Sequence, residues 1–265
     1  MVQQGLRYAR VTYCSANIVM FKLINLQTLL LWFKMRVIMT GFGLLPAPDL
    51  QTPDGLMTYL DYAALDRVPL DRDPYDHIVI ENFILPEAFK KVSADFPTVP
   101  GPGSHPPSEL DIRGDFKGLM EELDGPLFRK AMEEKFDVDL TDRPTMYTVR
   151  GFVREKDGEI HTDSKTKILT VLLYMNEGWE SDGGRLRILR SGTDLEQFTS
   201  EVPPYGGTLL VFRRSDNSWH GHKPHSGPRR AVQMNWVTTQ EVVDREQKRH
   251  RFSTKVKKLT SALFG

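Results

Sequence analysis

The spacing of hydrophobic positions changes partway along the chain. Residues 77–84 (His-Ile-Val-Ile-Glu-Asn-Phe-Ile) predict a strand, and Pro86 then opens a helix that runs to Phe96 and is closed by Pro97. After a break rich in Pro and Gly over 98–107, helical spacing returns at about 116–123 and 127–136, which predicts a helical layer. From Arg143 onward the pattern is one of short β-rich segments with turn signals between them: 145–153, 167–175, 185–189, 208–213 and 230–237. Strands in the second half with helices only before and after them imply a mainly β fold with supporting helices (α+β), its core a closed or double-layer antiparallel sheet. The stretch 41–76, rich in Pro and Asp with one helix-like patch near 58–66, reads as a loose lead-in, and ordered folding is expected to start near Tyr75.

One strongly apolar stretch, Ile18 to Phe33, is interrupted by Lys22, Asn25, Gln27 and Thr28. It falls short of the roughly 20 apolar residues a spanning helix needs. No small-residue cleavage site follows at Lys34-Met35-Arg36, so neither a membrane span nor an export signal is expected. Polar residues at 22, 25 and 28 recur at helical spacing, which leaves an amphipathic surface helix open, while Met35 or Met39 could each begin a chain that reads naturally. The organisation expected is a leader of uncertain status over 1–45 and a single domain over 46–265. Within that domain, helical support covers about 75–140, the β core about 143–240, and a basic helix 241–265.

Composition narrows the class. The chain has 265 residues, 40% of them hydrophobic and 26% charged, with 35 Lys+Arg balancing 35 Asp+Glu. That mixture excludes a disordered, collagen-like or multi-span membrane protein. Zero net charge provides no global field to draw nucleic acid, so none is expected as a partner. The basic run 245–258 reads as a solvated terminal helix. A single cysteine, Cys14, excludes an intramolecular disulfide framework and Cys-rich metal sites and fits a reducing cytoplasm. Any metal must then be held by His, Asp or Glu.

Two clusters offer such ligands. His161-Thr162-Asp163 lies just before the strand at 167, and positions two apart in extended chain point to the same side. Ser218-Trp219-His220-Gly221-His222 follows the strand at 208–213 and its turn, and a third ligand could come from His220. Two imidazoles and one carboxylate on a β scaffold leave three coordination positions open, an arrangement that suits non-haem Fe(II). His222 and His225 are placed at the rim, because Gly221 and Pro224 read as a turn, although three imidazoles within 220–225 would also suit Zn2+. A third element, Gly227-Pro228-Arg229-Arg230, opens the last strand. A guanidinium there could grip the distal end of a dicarboxylate through paired hydrogen bonds. Alternation places 230, 232, 234 and 236 on one face; Arg230 is assigned inward together with Trp236, and Arg229 outward.

Taken together, His161-x-Asp163, the segment Leu172-Leu173-Tyr174-Met175-Asn176, Trp179, Gly183-Gly184-x-Leu186-Arg187, His220 and Arg230 resemble the 2-oxoglutarate and Fe(II)-dependent dioxygenases, most of all their prolyl-hydroxylase-type branch. The resemblance spans roughly 75–238 and takes in Ile80 to Glu87. It implies a double-stranded β-helix (jelly-roll) core, with His161, Asp163 and His220 as iron ligands, Arg230 as the clamp on the C5 carboxylate of 2-oxoglutarate, Tyr174 as its hydroxyl partner, and Leu172 lining the same pocket. The family's upstream cosubstrate-binding Tyr has no clean equivalent among Tyr147 and Arg150. The implied activity is hydroxylation of an aliphatic C–H, of a prolyl or similar residue in a peptide or of a small molecule. Fe(II), 2-oxoglutarate and O2 are consumed or used, succinate and CO2 are released, and ascorbate serves as reductant. Two alternatives stay open: a non-catalytic module of the same fold that binds metal or 2-oxoglutarate, and a cupin-like metal dioxygenase without the oxo acid. The pairing of Arg230 with Tyr174 favours 2-oxoglutarate over the latter. The substrate and the oligomeric state are not legible in the sequence.

Overall fold

The computed structural model describes residues 58–246 and 248, all within one compact unit, Leu50–Gly265. The leader over 1–45 and the basic C-terminal segment beyond 248 lie outside the described residues.

Ordered packing begins well before Tyr75. Leu60 and Leu65 are 1% exposed, and the short helix α1 (Tyr62–Arg67) starts where the Asp61 carboxylate accepts a hydrogen bond from the Ala64 N–H at 2.8 Å. Strand β1 (His77–Ile80) ends earlier than the sequence predicts, because Asn82 turns the chain at φ 53°. Helices α2 (Pro86–Ala94), α3 (Gly114–Asp124) and α4 (Pro126–Phe136) occupy the predicted places, with Pro at the start of α2 and α4, where no N–H is needed.

The β half comprises β2 (Thr145–Val153), β3 (Lys167–Tyr174), β4 (Leu186–Leu189), β5 (Phe198–Val202), β6 (Leu209–Arg213), β7 (His220–His222) and β8 (Gly227–Val237). They form two antiparallel sheets, one ordered β1-β6-β3-β8-β2 and one ordered β5-β4-β7, giving a jelly-roll core. Two of these strands, β5 and β7, were not expected; the stretch containing β5 carries no readable motif, and β7 replaces a predicted turn.

Alternation along the large sheet separates two apolar layers. Leu169, Val171, Leu173, Leu209, Val211, Val232, Met234 and Trp236 pack outward against Phe116, Leu119, Phe128 and Met132 of the helices. Leu172, Tyr174, Leu210, Phe212 and Ala231 point inward, where they meet Leu186, Ile188 and Val202 of the small sheet. The face assigned to Trp236 from sequence is therefore inverted. Its ring is fully buried and stacked on Phe128 with centroids 6.0 Å apart, away from the space between the sheets. The inner face of β8 belongs to the odd positions, from Arg229 to Asn235.

Candidate metal centre and cosubstrate pocket

His161 and His220, 59 positions apart in sequence, meet through an isolated antiparallel bridge. Each backbone N–H donates to the other's carbonyl at 3.0 Å, which brings the two rings to 4.4 Å between centroids. Asp163 joins them by extended-chain alternation, and one ligand atom from each of the three residues lies within 4.8 Å of the others.

Hydrogen bonds fix which ring nitrogens face the gap. Nδ1 of His161 lies 2.8 Å from the Glu159 carbonyl and Nδ1 of His220 lies 2.9 Å from the Ser218 carbonyl. A carbonyl can only accept, so both Nδ1 atoms carry the proton and both Nε2 lone pairs remain for a cation. Burial lowers the pKa of His220 to about 4, outweighing the pull of Asp163, so its imidazole is neutral at physiological pH.

Asp163, 8% exposed, is ionised. Burial pushes its pKa up, but the Lys167 ammonium and His220, with hydrogen bonds from Lys167 and Thr170, outweigh that and hold it below the usual carboxylate range. Lys167 Nζ lies 2.7 Å from Oδ1 and Thr170 Oγ1 2.5 Å from Oδ2, so each oxygen keeps a further lone pair for a cation. Two imidazoles whose Nδ1 atoms are engaged by backbone carbonyls, leaving Nε2 toward the gap, and one carboxylate are a donor set that fits a divalent iron with coordination positions to spare.

Beside this cluster lies a cavity of about 80 Å3 whose lining includes His220, Leu172, His222 and Arg229. Here a second sequence assignment is corrected. Arg230 is exposed, with its guanidinium 5.2 Å over the Phe96 ring on the helical side, whereas Arg229 is 5% exposed and faces the cavity. Asn176 pins the strand at this point: its Oδ1 accepts the Arg230 N–H at 2.8 Å and its Nδ2 donates to the Arg230 carbonyl at 3.2 Å. Position 229 shares the inner face with Ala231 by alternation. Arg229 Nε then donates to the Gly184 carbonyl at 2.8 Å, where Gly184 sits at φ 77°, and an Nη donates to the Tyr174 hydroxyl at 3.2 Å. Leu172 lines the small cavity, and the guanidinium beside the Tyr174 hydroxyl is that of Arg229.

His222 is also inside. Because β7 pairs with β4 (Leu186↔His222, Ile188↔His220), both histidines project from the same face into the small cavity. Gly158 passes so close that a Cβ there would lie 2.4 Å from His222 Nδ1. Burial first, and then the Arg229 charge, lower the pKa of His222 to about 4. It stays outside the three-residue metal cluster.

A larger cavity, about 330 Å3, opens on the other side of His161 and Asp163, and its walls are polar: Thr148, Gln233, Asn235 and Lys167 among them. Arg150, which sequence left without a role, lines both cavities. It stands opposite inward-facing Ala231 across the β2–β8 ladder, a pairing set by tertiary register rather than by local sequence.

Residues 146–238 match the 2OG-Fe(II) oxygenase superfamily. No curated protein matches the chain. Among solved structures it is similar to a Pseudomonas putida prolyl-4-hydroxylase (17% identity, 67% of this chain and 98% of that one, TM-score 0.45). It is also similar to prolyl 4-hydroxylases from Phytophthora capsici (16%, 76% and 70%, TM-score 0.43). A third is a Trichoplax adhaerens prolyl hydroxylase in complex with a hypoxia inducible factor peptide fragment (16%, 61% and 83%, TM-score 0.38). No described helix is long and apolar enough to cross a membrane. The stretch that matches that superfamily contains His161, Asp163, Tyr174, His220 and Arg229.

Proposed function

We propose that the chain is an Fe(II)- and 2-oxoglutarate-dependent hydroxylase that adds oxygen to an aliphatic C–H of a prolyl or similar residue, or of a small molecule. One observation carries the reading: a three-residue ligand cluster shares its cavity with a buried guanidinium already anchored on Tyr174 and Gly184. Bound Fe(II), with 2-oxoglutarate and O2, supplies the oxidising chemistry, with succinate and CO2 as the other products.

The chain's own residues do the placing. His161 and His220 present Nε2 lone pairs, and Asp163 is ionised and held by Thr170. Arg229 and Tyr174 orient the distal carboxylate of the cosubstrate, the guanidinium having two donors committed to the protein and others available to the ligand. Leu172, Leu186 and Ala231 provide apolar wall that sheds water around the reacting groups. The prime substrate is received in the larger polar cavity, which reaches the cluster through His161 and Asp163. Purified chain given Fe(II), 2-oxoglutarate and candidate peptides and metabolites should release succinate, and the accepted substrate should gain one oxygen in mass.

A second reading, a module that keeps the pocket without turnover, draws on the Lys167 ammonium that occupies Asp163 Oδ1. Absence of Fe(II)- and 2-oxoglutarate-dependent succinate, with 2-oxoglutarate binding retained, would favour it.

A further inference from the structure

Two guanidinium groups face one cavity, and only one of them is hydrogen-bonded. Arg229 is engaged by Gly184 and Tyr174. Arg150 stands on β2 opposite Ala231, its side chain largely withdrawn from solvent, and lines both the small cavity and the larger one. Among the described residues its guanidinium makes no hydrogen bond and no salt bridge, and the Asp157 carboxylate acts on it only as a nearby charge. Asp157, on the wall of the small cavity, is held by Arg154 through both of its oxygens. Burial lowers the Arg150 pKa, and the Arg229 charge adds to it. Two like charges in a partly dry space repel, and an anion between or beside them relieves that repulsion.

We propose that Arg150 is a second carboxylate-binding residue of the site, distinct from Arg229. The proposal rests on the 2-oxoglutarate reading above and extends it. A guanidinium with all its donors free, at the boundary of two cavities, recognises a planar anion through paired hydrogen bonds. That carboxylate has two sources. It is either the distal group of the cosubstrate, gripped from two sides, or an acidic group of the prime substrate in the larger cavity, which makes that substrate an anion.

The test uses the full chain and calorimetric titration, comparing wild type with Arg150→Gln and the charge-retaining Arg150→Lys, each checked for intact fold by circular dichroism. In the first arm, Mn(II)-loaded protein is titrated with 2-oxoglutarate and with 2-oxovalerate, which lacks the distal carboxylate. In the second, protein saturated with Mn(II) and N-oxalylglycine is titrated with glutarate. A loss of at least about tenfold in Arg150→Gln, with partial recovery in Arg150→Lys, supports the proposal. Loss for 2-oxoglutarate but not 2-oxovalerate names the cosubstrate as the source, and loss for glutarate in the second arm names the substrate. Unchanged affinity in both arms overturns it. Should wild type bind no 2-oxoglutarate at all, the functional reading fails. Glutarate titrated into metal-free protein then decides the role of Arg150: weaker binding in Arg150→Gln supports it, and equal binding overturns it.

Discussion

The Arg229 guanidinium donates to the Tyr174 hydroxyl at 3.2 Å and lies 5.0 Å from the centre of that ring, joining β8 to β3 across the inner face of the large sheet. This pair, rather than Arg230, is the anchored cation beside the candidate metal centre. Arg229→Gln should weaken 2-oxoglutarate binding by about 100-fold, the scale of removing one partner from a buried charge contact. Arg230→Gln, at an exposed position, should stay within about twofold. Calorimetry on the Mn(II)-loaded protein checks both, and equal effects would remove Arg229 from the role.

Lys167 sets a second expectation. Its ammonium is 2.7 Å from Asp163 Oδ1, and a divalent cation at the same carboxylate meets a like charge a few ångströms away. Lys167→Met should therefore tighten Mn(II) binding by at least about tenfold. Affinity that falls in this variant would show that Lys167 orients the carboxylate for the ion rather than competing with it.

Trp236 should matter for stability alone. Stacked on Phe128 and shut away from the inner face, it fills the layer between sheet and helices. Trp236→Leu should cost about 2 kcal/mol in denaturant unfolding, with 2-oxoglutarate affinity unchanged. A variant of normal stability with weakened binding would put the ring back in the pocket.

The two buried histidines give a pH dependence to the metal-free protein. His220 and His222 both titrate at about 4 in the folded state. In the unfolded chain they take up protons near 6.5, so the unfolded state binds more protons between those values. Stability should fall as pH drops from about 6.5 to about 4, and His222→Gln should flatten that slope. Asp163, whose pKa is also lowered, adds its loss only below the ordinary carboxylate range. Unfolding midpoints in chelator across this window check the prediction, and a flat profile would contradict it.

Much of the architecture was legible because alternation and helical spacing are strong along β3, β6, α3 and α4, where each element buries an apolar face. The grouping of His161, Asp163 and His220 was legible from spacing and chemistry. What misled was the sign of an alternation that was itself read correctly: a two-residue period says which positions of β8 share a face, not which face is inner. Polarity held the answer, since Arg229, Gln233 and Asn235 form a polar set fit for a cavity while Val232, Met234 and Trp236 form an apolar one fit for a core. Strand β7 was hidden for a different reason. His-Gly-His followed by Lys and Pro carries turn propensity, and the pairing with Leu186–Ile188 that makes it a strand is a tertiary effect.

The most direct test of the account is the stoichiometry of metal binding. Mn(II) titration followed by electron paramagnetic resonance should show one tight site per chain in wild type. In His161→Ala and His220→Ala the same folded protein should lose at least about 100-fold in affinity, as expected when one of three ligands is removed. Tight binding of Mn(II) that survives His220→Ala unchanged would contradict the assignment of the centre.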